Sequence, residues 1–254
     1  MAPREQSVET PPTHVAVIMD GNGRWAERRG LARSDGHRAG VDTVRGITRA
    51  ARDRGIRWLT LYAFSSENWR RPKDEVEVLM SLPEAYFSTE LAEAQQNDVR
   101  IRTIGRRDRL PPSARASVEQ AVEETRGNSG MQLVFALSYG GRQELVDAAR
   151  RLLQAGSDPD ALDEKTLAAQ LDDPELPDVD LLIRTGGEKR ISNFLIWQTA
   201  YAEIVFSDKL WPEFGPAELD VALAEYHQRE RRFGQTSAQL GPQGTRDSGR
   251  SGKP

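Results

Sequence analysis

Short apolar runs alternate with longer amphipathic stretches along most of this chain, and no other feature restricts its fold as strongly. The apolar runs cover residues 14–19, 58–63, 99–104, 131–138, 180–184 and 203–206. Most offer water no polar face, the pattern of strands buried on both sides. Helical patterns lie at residues 24–29, 41–54, 74–96, 112–126, 143–154, 164–171 and 217–232. In the second of these, Val41, Val44, Ile47 and Ala51 recur three to four residues apart, with arginines opposite. Strands joined through helices predict an α/β domain over residues 14–234, with a central, mainly parallel sheet flanked by helices. Pro83 predicts a kink or break in the third helix. Residues 1–13 and 235–254 are polar and rich in Pro, Gly, Ser and Gln, and read as disordered tails.

The absence of cysteine excludes a disulfide framework, a thiolate nucleophile, Cys-ligated zinc and an iron–sulfur cluster. The three histidines, His14, His37 and His227, are never in HExxH spacing, which argues against a His-rich metal site. Lys+Arg 35 against Asp+Glu 39 leaves a net charge of −4, without the basic excess of a nucleic-acid binder. No apolar run is long enough to span a bilayer. Arg4, Glu5, Pro11 and Pro12 stand where a signal peptide needs apolar residues, so a cytoplasmic location is expected.

In open parallel sheets, ligands gather at the carboxyl ends of the strands. The first strand ends in Asp20-Gly21-Asn22-Gly23-Arg24-Trp25. Its glycines let backbone N–H groups approach an anion at a helix N-terminus, and Arg24 adds a bidentate donor. Asp20 either caps the helix or offers an oxygen to Mg²⁺. After the second strand come Ser65, Ser66, Glu67, Asn68, Trp69, Arg70 and Arg71, a capped turn with Trp69 as its lid or a second functional loop. The fifth strand ends in Arg184-Thr185-Gly186-Gly187-Glu188-Lys189-Arg190-Ile191-Ser192, where arginines, glycines and a serine suit a diphosphate better than an ordinary solvated loop. Glu203 is a further carboxylate able to complete a magnesium shell, and Arg33 and His37 form a cationic segment ahead of the second helix. Asp172, Asp173 and Asp178 lie beside Pro174 and Pro177 and read as loop rather than metal clamp. Arg229, Arg231 and Arg232 complement a helix C-terminus.

Together, residues 14–25, 61–72 and 180–206 resemble the cis-prenyltransferases, in particular the bacterial undecaprenyl diphosphate synthases. Residues 99–105, Tyr139-Gly140-Gly141 and Arg231-Arg232-Phe233-Gly234 agree with the same pattern, so the likeness covers nearly all of residues 14–234. It implies a homodimeric α/β enzyme with a hydrophobic tunnel beneath the catalytic loops. It also implies a reaction in which isopentenyl diphosphate elongates an allylic diphosphate such as farnesyl diphosphate, forming cis double bonds and releasing pyrophosphate. By the resemblance, Asp20 and Glu203 hold Mg²⁺, and Gly21, Asn22, Gly23 and Arg24 bind the allylic diphosphate. Trp25, Arg33, His37, Ser65, Ser66, Glu67, Trp69 and Arg71 fall on substrate-contacting positions. Asn68 falls on a residue assigned to proton removal, although an amide is a poor base and a pyrophosphate oxygen is the better acceptor. Arg184, Arg190, Ile191 and Ser192 match the isopentenyl diphosphate pocket.

Two departures stand out. Lys189 replaces a position where the family often has His or Gln, which keeps positive charge, and Pro83 interrupts the helix expected to wall the tunnel. Ala63 at the entrance and Met131 at the floor are the expected determinants of product length. Undecaprenyl diphosphate is the expected product, serving as cell-wall lipid carrier and bringing the enzyme to the membrane periphery. The alternatives are a shorter or longer cis-polyprenyl diphosphate, a non-catalytic subunit of a heteromeric enzyme, and a magnesium-dependent phosphohydrolase.

Overall fold

A computed structural model describes residues 10–229. The expectations for residues 1–9 and 230–254, including the Arg231–Gly234 signature, lie outside the described residues. Six strands occur where the apolar runs predict them: β1 (His14–Ile18), β2 (Trp58–Ser65), β3 (Arg100–Ile104), β4 (Gln132–Tyr139), β5 (Leu181–Arg184) and β6 (Glu203–Phe206). They form one sheet in the order β3-β4-β2-β1-β5-β6, and every pair is parallel. All carboxyl ends therefore share one edge, the edge that receives the three polar loops.

Every residue of β1 is buried, because successive side chains enter opposite cores. Val15 and Val17 pack with Leu59, Leu61 and Phe135 on one face. Ala16 and Ile18 pack with Val134, Ala136 and Leu182 on the other. The helices are α1 (Asn22–Glu27), α2 (Arg33–Asp53), α3 (Lys73–Gln96), α4 (Pro112–Glu124), α5 (Gly141–Gln154), α6 (Glu164–Ala168) and α7 (Pro216–Gln228).

Two helices depart from expectation. Helix α2 begins at Arg33, well before the apolar repeat that starts at Val41. Gly36 and Gly40 disguise its first turns, since glycine is a poor helix former, but close packing requires them there. A Cβ on Gly36 would sit 2.0 Å from the Asn22 carbonyl oxygen, and one on Gly40 2.5 Å from Asn22 Oδ1. Arg33 and His37 thus belong to the helix itself rather than to a segment preceding it. Helix α3 is not broken at Pro83 and continues to Gln96.

His14, expected to have no special role, proves structural. Its Nε2 lies 2.7 Å from Thr60 Oγ1 and its Nδ1 2.8 Å from the Pro177 carbonyl oxygen. Burial pushes its pKa down from 6.5 to about 4. The folded state keeps this imidazole neutral, so its contribution is complete above pH ~6.5 and is lost as pH falls toward ~4, in total about 3 kcal/mol. Thermal melts of wild type and His14→Gln between pH 7 and 4.5 should show the steeper acid loss in wild type. Parallel curves would rule out this titration.

Candidate active site

The first polar loop is built around Asp20. Its backbone is held by Thr185, whose Oγ1 accepts from Asp20 N–H at 2.9 Å and donates to Asp20 O at 2.7 Å. The side chain is not the helix cap; Gly21 holds that position with φ 109°. Asp20 instead lies between two arginines, Oδ1 3.1 Å from Arg24 Nη2 and Oδ2 2.8 Å from Arg184 Nη2. Burial pushes the carboxyl pKa up, but the Arg184 hydrogen bond and the charges of Arg24 and Arg184 outweigh it and hold the group below its ordinary value. It is a carboxylate at neutral pH.

Arg184 is 4% exposed. Its Nη1 donates to the Arg190 carbonyl and to Ser192 Oγ, both at 2.6 Å, while Nε is buried with no partner among the described residues. A buried guanidinium N–H without an acceptor is costly unless a ligand supplies one. Arg24 donates to the Gly186 carbonyl at 2.7 Å. Gly186 has φ 85°, and a Cβ there would lie 2.5 Å from Arg24 Nη2, so only glycine fits the turn. The loops after β1 and β5 are therefore one unit.

On the other side of Asp20 a pocket opens between α2, α3 and the sheet, with about 1150 Å³ of empty space counting its mouth. Asp20, Gly21, Asn22, Gly23, Arg24, Arg33, His37, Asn68 and Arg71 line it near the strand ends. Deeper, the lining turns apolar through Val44, Ala63, Leu79, Met80 and Pro83. The guanidinium of Arg33 lies over Gly23, where a Cβ would come within 2.5 Å of its Cζ.

One organising residue escapes sequence reading: Glu75, in the first turn of α3. It accepts from Arg71 Nη1 at 2.8 Å and Arg33 Nε at 3.3 Å, and its Oε1 is 3.2 Å from His37 Nε2. Burial pushes its carboxyl up, but Arg71, His37 and Arg33 together hold it below its ordinary value. Burial lowers the pKa of His37, against the opposing pull of Glu75. The only sequence trace of this cluster is the four-residue spacing from Arg71 to Glu75.

The second loop combines both of its sequence readings. Ser65 and Asn68 form a reciprocal capping box around the 3₁₀ turn Ser66–Arg70. Asn68 Oδ1 accepts from the Ser65 N–H at 3.0 Å, and the residue lines the pocket. Trp69 packs edge-on to Phe64 and donates through Nε1 to Ser138 Oγ at 2.9 Å. It positions the loop and does not line the pocket. Ser66 Oγ donates to Glu67 at 3.1 Å, and Glu67 also accepts from Asn193. Trp25 lies under the guanidinium of Arg29, away from the pocket. Arg190 pairs with Glu188, and Ile191 packs against the second core cluster.

Glu203 does not join Asp20. It is level with Leu181 at the amino end of β6, whereas Asp20 follows Ile18, which is level with Arg184 and Phe206. Three strand residues, about 10 Å, separate the two levels, and β5 lies between β1 and β6. Glu203 instead accepts from Arg229 Nη1 at 3.0 Å. Met131, the expected floor residue, is buried in the same core cluster as Leu79, Met80 and Phe135. It precedes β4 at the far end and lies in the core outside the pocket lining. The lining also includes Tyr86, Phe87 and Phe135, whose rings meet edge to face at 5.3–5.5 Å. Asp172 and Asp173 pair with Arg151 and Arg102 in a loop, as expected.

The family model described as "Putative undecaprenyl diphosphate synthase" matches residues 18–234. An isoprenyl transferase of Geobacter sulfurreducens is 52% identical over 233 residues, covering 90% of this chain and 95% of the relative. One from Brucella abortus is 51% identical over 88% of this chain and 89% of its own length. Among solved structures, lavandulyl diphosphate synthase from Lavandula x intermedia, in complex with dimethylallyl diphosphate, matches with a TM-score of 0.86 and 38% identity, covering 89% of this chain and 99% of that one. A probable undecaprenyl diphosphate synthase from Campylobacter jejuni matches with a TM-score of 0.76 and 36% identity, covering 89% and 100%. Fold and relatives define a prenyltransferase. The chain belongs to the undecaprenyl diphosphate synthase family of isoprenyl transferases, enzymes of cis-prenyl chain elongation.

Proposed function

We propose that this enzyme condenses isopentenyl diphosphate with an allylic diphosphate, farnesyl diphosphate being the expected primer, and releases pyrophosphate. One observation carries the reading: a single carboxylate, Asp20, stands where an apolar pocket with a cationic mouth meets the separate Arg184–Ser192 group. The allylic tail occupies the pocket, with its diphosphate against the N–H groups of residues 21–24 and the side chains of Arg24, Arg33 and Arg71. Isopentenyl diphosphate binds beside Arg184, whose free Nε supplies one donor, and Arg190. When the allylic C–O bond breaks, these fixed donors stabilise charge developing on the departing pyrophosphate. The isopentenyl double bond supplies the electron pair of the new C–C bond, and the proton then lost passes to a pyrophosphate oxygen, the strongest acceptor nearby.

Asp20 suits Mg²⁺, which commonly takes one or two carboxylates plus substrate phosphates. The described residues contain no cluster of three or more metal-ligating side chains, so substrate oxygens would complete the shell. Bound there, the ion would further neutralise the leaving pyrophosphate.

A second reading of the product rests on the aromatic triad. Tyr86, Phe87 and Phe135 crowd the pocket's apolar lining, which favours a shorter cis-prenyl diphosphate over undecaprenyl diphosphate. Incubation with farnesyl diphosphate, isopentenyl diphosphate and Mg²⁺, followed by sizing of the products, tests both readings. Pyrophosphate release without chain elongation would refute them together. Because Ala63 lines the pocket, Ala63→Leu should shorten the products; an unchanged distribution would remove Ala63 from the tail's path.

A homodimer belongs to the same proposal. Exposed Tyr201, two residues before the sheet's edge strand β6, and Phe206, at its end, support it, and sedimentation measures it. No helix among the described residues is long and apolar enough to cross a membrane, so membrane contact would come through the product.

A further inference from the structure

Asn193 joins three loops that carry the strand-end chemistry. Its Nδ2 donates to Glu67 Oε1 at 3.0 Å, tying it to the turn after β2. Its Oδ1 accepts from the Arg142 N–H at 2.9 Å, and its carbonyl accepts from the Gly141 N–H at 2.8 Å, both at the start of α5. It directly follows Ser192, which holds Arg184. The backbone of Asn193 is left-handed, with φ 63°, a conformation Asn tolerates better than most residues. Gly140 makes room for it, since a Cβ there would lie 2.8 Å from Asn193 Nδ2.

We propose that Asn193 is a positioning residue that holds the Ser65–Arg71 turn in register with the Arg184–Ser192 loop through its hydrogen bond to Glu67. The 65–71 turn brings Asn68 and Arg71 to the pocket, whereas the 184–192 loop holds Asp20 from the opposite side. The Asn193–Glu67 bond links these two halves directly, and its acceptor is a carboxylate, which makes it stronger than a neutral pair. The inference rests on the elongation reading for its kinetic effect, but not for its structural one.

Asn193→Asp isolates this bond. An aspartate keeps an acceptor for the Arg142 N–H and tolerates the left-handed backbone, yet sets a second carboxylate against Glu67. Turnover of farnesyl and isopentenyl diphosphates should fall roughly tenfold in kcat. In a Glu67→Gln background the pair can re-form with donor and acceptor exchanged, so the same substitution should cost less than about twofold. Hydrogen exchange at residues 66–71 supplies a readout independent of activity. It should accelerate in Asn193→Asp and return toward the slower rate in the double variant. Glu67→Ala removes the bond from the other side and should accelerate the same amides even if Asn193→Asp does not fold. Equal costs of Asn193→Asp in both backgrounds, or unchanged exchange at 66–71 in Glu67→Ala, would overturn the proposal. Absence of elongation by the wild type would defeat the functional reading alone, because the exchange result stands without it.

Discussion

Asp20→Asn is expected to lower kcat/KM at least about a hundredfold while leaving a folded protein. The asparagine preserves the volume and an acceptor for Arg184, but removes the charge that the arginines of both loops converge on. Loss of one group aimed at developing charge typically costs ~3–4 kcal/mol of barrier. Asp20→Ala should lose as much activity and also melt at lower temperature, since buried Arg184 would lose its carboxylate partner, a cost of about 1–3 kcal/mol. Steady-state kinetics and thermal melts separate the two effects. Near-normal turnover in Asp20→Asn would remove the carboxylate from the reaction.

Phe135→Ala should lengthen the product. The ring lines the pocket as one side of the triad, with centroids 5.5 Å from Tyr86 and 5.4 Å from Phe87. Each further isoprene unit needs apolar room beyond that point, and each buried CH₂ contributes about 0.8 kcal/mol toward holding the chain. Removing the ring should also destabilise the fold by about 3–5 kcal/mol. The products are therefore best sized well below the variant's melting temperature. A distribution unchanged from wild type would mean that the growing tail does not reach Phe135, and would return product length to other walls of the pocket.

The strands were mostly legible because burial on both faces favours apolar runs, although β3 alternates Arg100, Ile101 and Arg102, and the apolar run at residues 194–197 is not a strand. Helix α2 was only partly legible. The two glycines that let it pack on Asn22 carry no apolar signal, so its first turns look like loop. The Ser65–Arg71 segment was legible as chemistry but ambiguous in role. Its hydroxyl, amide and indole serve the turn itself, while Asn68 and Arg71 face the pocket. Glu75 left almost no trace, because a carboxylate in the first turn of a helix is ordinary until two arginines and a histidine are found around it.

By itself, the sequence determined the parallel α/β class, the edge where ligands gather and the family, since each follows from local pattern or contiguous motif. Only the tertiary structure decided which groups meet. Strand register set Asp20 against Arg184 and carried Glu203 to the opposite end, and side-chain packing set Tyr86, Phe87 and Phe135 together in the pocket's lining. The physical reason is that a motif fixes a residue's neighbours along the chain, whereas its partners across a sheet depend on register and on the volume of every ring between them.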